Sequence, residues 1–373
     1  MLQLHHTNAA LPGKRLMRRS LWRSIPIRAA RLCRALSAFG ACAALGSAAA
    51  QQSTLPDPKP ESAVTGILAA FQKYSVVGMM HGHGYKDVDD FILGLVRHPA
   101  FPDVVNDIVV ECTNSRHQAI LDRYIAGEDV RFEDARQAWE DVQPGCLDAH
   151  VSLFPLVRRI NQRLAPEKRL RVIAGEPPMD WTTITREEIG RWLLRGIMGI
   201  GTTGNSRDSS MALVVAREVL AKQRKALLLY GTGHLLHQMS GGGVNLYERQ
   251  RPGVTFVIDL LSTCPGARND WRRELHDRAA AWPVPSIALI RNTSVADVRE
   301  ESLRIGDNID AFLYLGPSDF ALRQPTPSHV LADSAYMAEL RRRHAGGAST
   351  RAQALIDPVA IREREANPFV CRQ

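Results

Sequence analysis

Two stretches of this sequence share an arrangement suited to acid–base chemistry. Gly78-Met79-Met80-His81 and Gly231-Thr232-Gly233-His234 each place a histidine three residues after a glycine, at the close of an apolar run. Glycine lets the backbone turn sharply there, which aims the imidazole away from the run. Between them, "DIVVE" delivers Glu111 directly after apolar residues, and "GEPPMDW" delivers Glu176 and Asp180. A neutral imidazole takes a proton from water or binds a metal, and a nearby carboxylate orients it and raises its basicity. Arg207, in "NSRDSSMA", offers a fixed cation for a developing oxyanion or an anionic substrate. His81, Glu111, Arg207 and His234 are therefore the expected catalytic set, with His83, Tyr85, Glu176, Asp180 and His237 as supporting or substrate-contacting positions. His81, Glu111 and His234 would also suffice as ligands for zinc or manganese, although their spacing does not demand a metal. No G-x-G-x-x-G opens the first turn, so a dinucleotide fingerprint is excluded there.

The elements that must position these residues alternate along the chain. Short apolar runs at 75–80, 107–111, 170–175, 225–231, 254–260, 286–290 and 311–316 are separated by helical patterns. That alternation predicts an α/β fold, a central mostly parallel β-sheet flanked by helices. Ligands of such sheets bind beyond the carboxyl ends of the strands, where His81, Glu111, Glu176 and His234 are expected to fall. Val88, Phe91, Ile92, Leu95 and Val96 mark one face of a helix after His81 and His83, with Asp87 placed to cap it. Residues 115–165 read as a helical lobe over the strand ends, 328–343 as a terminal helix with a basic end, and 346–373 as a loosely tied tail. One domain over 63–345 accommodates all of this.

With 373 residues and 45% apolar content, the chain can bury a sizeable core. Its net charge of +8 is misleading about partners. Eight basic residues and no acidic one lie in residues 1–50, so the rest is balanced and argues against a nucleic-acid partner. That basic leader runs into "ALSAFGACAALGSAAAQQ", the order of a secretory signal peptide ending near Gln51, and predicts export to the periplasm or medium. Arg18-Arg19 resembles a twin-arginine signal. "QQSTLPDPKPE" reads as a flexible linker over 51–62. No stretch reaches the length of a membrane span. Cleavage would leave Cys112, Cys146, Cys264 and Cys371, enough for up to two disulfides whose pairing the sequence does not fix.

The order of motifs, G-x-x-H after the first strand, a strand ending in Glu111, "QAILDRYIAGE", "RDSSMA", "GTGH" and then "DAFLYLGP", resembles the superfamily containing erythromycin esterases, ChaN-type haem-binding uptake proteins, and the TraB and Tiki proteases. The resemblance implies one site at the strand ends. In the esterases the position matching His81 is the general base, and those matching Glu111, Arg207 and His234 complete the site. In the Tiki-like members similar histidines and a glutamate accompany a divalent metal, and in the ChaN-type members the fold carries haem and dimerises around it. Met79-Met80 stand where the esterases carry an acid, a departure from their pattern. Two functions are thus expected. One is an exported hydrolase of an ester, lactone or amide in a small-molecule or peptide substrate. The other is a haem- or metal-binding protein without catalysis, its ligands drawn from His81, His83, Tyr85, His234 and His237, with a homodimer implied.

Overall fold

Strands that are apolar on both sides need cover on both faces, and the chain supplies it. The computed structural model describes residues 55–82, 84–142, 151–183, 187–188, 207–262, 270–300, 302–317, 320–321, 324–344, 361–362, 366 and 369–370. Its sheet consists of β1 (Pro60–Ser62), β2 (Val76–Met80), β3 (Asp107–Asn114), β4 (Arg171–Glu176), β5 (Ala226–Tyr230), β6 (Thr255–Leu260), β7 (Ser286–Leu289) and, after a small hairpin of β8 (Arg299–Glu300) and β9 (Leu303–Arg304), β10 (Ala311–Tyr314). The order is β1-β7-β10-β6-β2-β5-β3-β4. From β10 to β4 all neighbours are parallel, while β7 is antiparallel to both β10 and β1. All seven strands expected from the apolar runs form, so the chain has an α/β fold. The expected linker is corrected at its end: Pro60–Ser62 adds an edge strand, where a proline costs no ladder bond.

Side chains alternate between two helical layers. Val77, Met79, Val110 and Leu229 meet α1 (Ala63–Lys73), α2 (Lys86–Arg97), α3 (Gln118–Ala126) and α4 (Leu153–Asn161), burying Phe71, Leu95, Leu121 and Phe154. Val76, Val109, Leu228 and Tyr230 face the other way, toward the helix Arg207–Val214 with its π-helical continuation Val215–Leu220, and the helices Gly243–Glu248 and Asp270–Ala279. The expected lobe over the strand ends is thus mostly a layer on the first face, because Leu121, Tyr124, Phe154 and Val157 supply the apolar stripe that the sheet needs covered. Within it, Asp141 reaches the end of β3, where its backbone oxygen accepts from Asn114 Nδ2 at 2.8 Å.

Two boundaries differ from expectation. Tyr85, not Asp87, is the N-cap of α2, and Asp87 and Asp89 lie in the first turn, where the helix dipole favours carboxylates. At the basic end of the terminal helix Ser334–His344, Arg341 and Arg342 are exposed but Arg343 is 4% exposed, donates to the Val142 carbonyl at 2.8 Å and to Asp141 at 3.0 Å, and stacks on Trp181. Of the expected loose tail, Ile361 is buried against Val330, Met337 and Leu340, and Phe369–Val370 pairs with Phe320–Ala321. At the opposite edge of the sheet Asp107, fully buried, holds Arg171 and Arg224 and ties the starts of β3, β4 and β5.

Candidate active site

The strand order places β5 between β2 and β3, so residues after β2, β5 and β3 are neighbours. Glu111 does not end its strand as expected. β3 continues to Asn114, but its register against β4 shifts after Val110, and Cys112 adopts a left-handed φ of 57°. Glu111 follows the alternation set by Val109 onto the second face, where it is 2% exposed.

Around Glu111 the chain assembles an ion-pair network. Arg207, the first residue of its helix, bridges two carboxylates. Its Nη2 donates to Glu111 Oε1, and its Nε donates to Glu176 Oε1 and Oε2 at 2.8 and 3.0 Å. Glu176, the last residue of β4, also accepts from the Cys112 N–H at 3.3 Å, and Glu111 Oε2 accepts from the Gly231 N–H at 2.8 Å. His234 Nε2 lies 3.5 Å from Glu111 Oε1, and its Nδ1 lies 2.8 Å from Asp208 Oδ1. Asp208 is fixed by the Gly243 N–H at 2.7 Å. Burial alone would lower the His234 pKa, but the hydrogen bonds and charges of Asp208 and Glu111 override it and push it up to about 10. His234 therefore carries a proton at neutral pH, which suits an acid or a donor to developing negative charge better than a base.

His81 lies on the other face. It is 2% exposed, its Nε2 is 2.7 Å from Asp89 Oδ1, and its N–H donates to the Tyr230 carbonyl at 2.9 Å. Asp89 reaches back from the first turn of α2. The pair lines a cavity with Ile92, Leu93, Ser152, Leu153 and Gln324. The two groups adjoin across the sheet edge: the register pairing Met80 with Tyr230 sets His81 beside Gly231, the residue whose N–H holds Glu111.

The structure thus gathers Glu111, Glu176, Arg207 and His234 and joins His81 to them through the backbone of β5. Asp180 is elsewhere occupied: hydrogen bonds from Thr182 and from Arg116 draw its pKa down to about 2, and it closes a turn. Tyr85 caps α2 and packs its ring on Gly82. His83 lies outside the described residues. His237 belongs to a separate clamp, its Nδ1 2.7 Å from Glu248 and its Nε2 3.1 Å from Asp310. Sequence reading missed Asp89 and Asp208. Asp208 adjoins Arg207, and Asp89 sits one helical turn in, so proximity to named residues was the signal available.

The groups present form ion pairs rather than a ligand set. The expected metal ligands do not converge, since His81 lies on the other face from Glu111 and His234, and Glu111 is paired with the guanidinium of Arg207. Among the described residues no group of three or more His, Cys, Asp or Glu is arranged to hold a metal. For haem, His237 has a carboxylate on both ring nitrogens, whereas the carboxylates on His81 Nε2 and His234 Nδ1 would orient a ligand rather than block it.

The His237 clamp gives a pH prediction. Burial opposes its charge, but Asp310 and Glu248 raise its pKa to about 9, above the ordinary value of about 6.5 in an unfolded chain. Stability from the clamp is fully present below about pH 6.5 and is lost as pH rises through about 9, up to about 3 kcal/mol in all. The melting temperature should fall over that window, and a His237→Gln variant should show a visibly shallower fall. Parallel curves for the two proteins would contradict this.

No protein-family model and no curated protein sequence matches the chain. Solved structures resemble it distantly. A succinoglycan biosynthesis protein is 8% identical, with 70% of this chain and 94% of that one covered and a TM-score of 0.49. A Bacillus cereus protein is 10% identical over 70% and 95%, with a TM-score of 0.43. ChaN of Campylobacter jejuni, in a structure of cofacial haem binding, is 13% identical over 52% and 85%, with a TM-score of 0.30. At these levels function has to be argued from the site itself.

Proposed function

We propose that the protein is an exported hydrolase that opens an ester, lactone or amide at the carboxyl ends of β2, β5 and β3. The observation that carries this reading is buried His81 held 2.7 Å from Asp89 on the wall of a cavity, with the network of fixed charges joined to it through the end of β5. A histidine oriented by a carboxylate is the usual means of activating water. His81 takes a proton from water, and the water oxygen bonds to the substrate carbonyl carbon. Cationic His234 and Arg207 favour the negative charge that moves onto the carbonyl oxygen. When the bond to the leaving group breaks, the proton on His81 passes to it. Because Arg207 is tied to Glu111 and Glu176, its part is a fixed field, and His234 is the better placed donor.

Export is part of the proposal. It rests on the basic and apolar leader of residues 1–50 and on Cys112, which is disulfide-bonded, a state that persists in oxidising compartments. The test is acid release from a panel of esters, lactones and amides. The wild-type protein should turn over at least one of them, and Asp89→Asn should be about 10–100-fold slower, since an asparagine orients the ring without stabilising its charged form. Undiminished turnover in Asp89→Asn would remove the dyad from the mechanism.

A further inference from the structure

Tyr230 ends β5 with its side chain on the face of Glu111 and His234, and among the described residues its hydroxyl has no hydrogen-bond partner although the residue is 2% exposed. Such a hydroxyl destabilises the fold relative to a phenylalanine filling the same space. Its surroundings are those of the site. The ring meets His234 edge-on with centroids 5.9 Å apart, and the next residue, Gly231, holds Glu111. The hydroxyl lies directly over Gly175, immediately before Glu176: a Cβ there would be 1.5 Å from the phenolic oxygen and 2.8 Å from the Val110 carbonyl. Glycine at 175 is what lets the phenol extend over β3 to β4. Burial, then the charges of Glu176 and Glu111, raise the phenol's pKa well above its ordinary value, so it keeps its proton and acts as a donor.

We infer that Tyr230 is a catalytic residue of this site, donating its phenolic hydrogen bond to the carbonyl oxygen of the substrate as negative charge develops there. The inference rests on the hydrolase reading above and adds to it a neutral donor beside cationic His234. The phenol's proton does not transfer: the bond formed is between water oxygen and carbonyl carbon, the bond broken joins that carbon to the leaving group, and His81 carries the proton between them.

Tyr230→Phe tests this, because it removes the hydroxyl and nothing else. The expected result is a melting temperature equal to or above that of the wild type together with kcat about 10–100-fold lower at unchanged KM, as for loss of a donor that acts in the transition state. Unchanged kcat would overturn the inference and leave the hydrolase reading standing. A lowered melting temperature would overturn it as well, by showing that the hydroxyl serves the fold. No turnover of the panel by the wild type would remove the hydrolase reading and the inference together.

Discussion

Replacing Arg207 by methionine is expected to cost about 3–5 kcal/mol of stability at neutral pH, the penalty for breaking a buried ion pair from one side. The arithmetic of the site explains why. Glu111 and Glu176 are 2% and 5% exposed, and the guanidinium that bridges them is what allows both to stay ionised so close together. Without it, two carboxylates face each other out of water, and each is driven toward its protonated form. The loss should therefore shrink on acidification: the variant should gain stability relative to the wild type from neutral to mildly acid pH, because protonation neutralises a buried charge that nothing else compensates. Adding Glu176→Gln to Arg207→Met should recover part of the loss at neutral pH by the same reasoning. Melting curves of the three proteins at neutral and mildly acid pH check this. A variant as stable as the wild type at neutral pH would mean that the network does not hold the strand ends together.

The second large effect is on turnover. His81→Asn should lower hydrolysis about 1,000-fold or more, near the upper range for loss of a general base. Asparagine keeps an amide that can bond to Asp89, so the buried carboxylate retains a partner and the fold should survive with little change in melting temperature. The contrast with Arg207→Met separates the two roles. One residue neutralises charge in the folded state, and the other handles the proton.

Much of this was legible in the sequence. The seven apolar runs are strands because β-branched and leucine-rich segments of that length, separated by helical patterns, have one economical arrangement, a parallel sheet covered on both faces. The histidine turns at His81 and His234, and the acids Glu111 and Glu176, followed from asking what stands at strand ends. What the sequence did not disclose is the division between faces. Side-chain direction alternates along a strand, so Glu111 shares the face of Val109 while His81 shares that of Met79, and composition does not show which face each strand end presents. Nor did spacing disclose that Asp89 would reclaim His81 from the Glu111 network. That depends on where α2 begins, and Tyr85 rather than Asp87 sets its start. Among the described residues no metal-holding group forms, for a related reason: ligand counting sees His81, Glu111 and His234 but not that Arg207, far along the chain, pairs with Glu111.

The measurement that bears most directly on the central claim is acid release followed by pH-stat for wild-type and His81→Asn protein, side by side on the ester, lactone and amide panel. Melting curves of both should accompany it. The account predicts turnover of at least one substrate by the wild type and about 1,000-fold less by a variant that melts at nearly the same temperature. Equal rates in the two proteins, or no acid released by the wild type from any member of the panel, would contradict it.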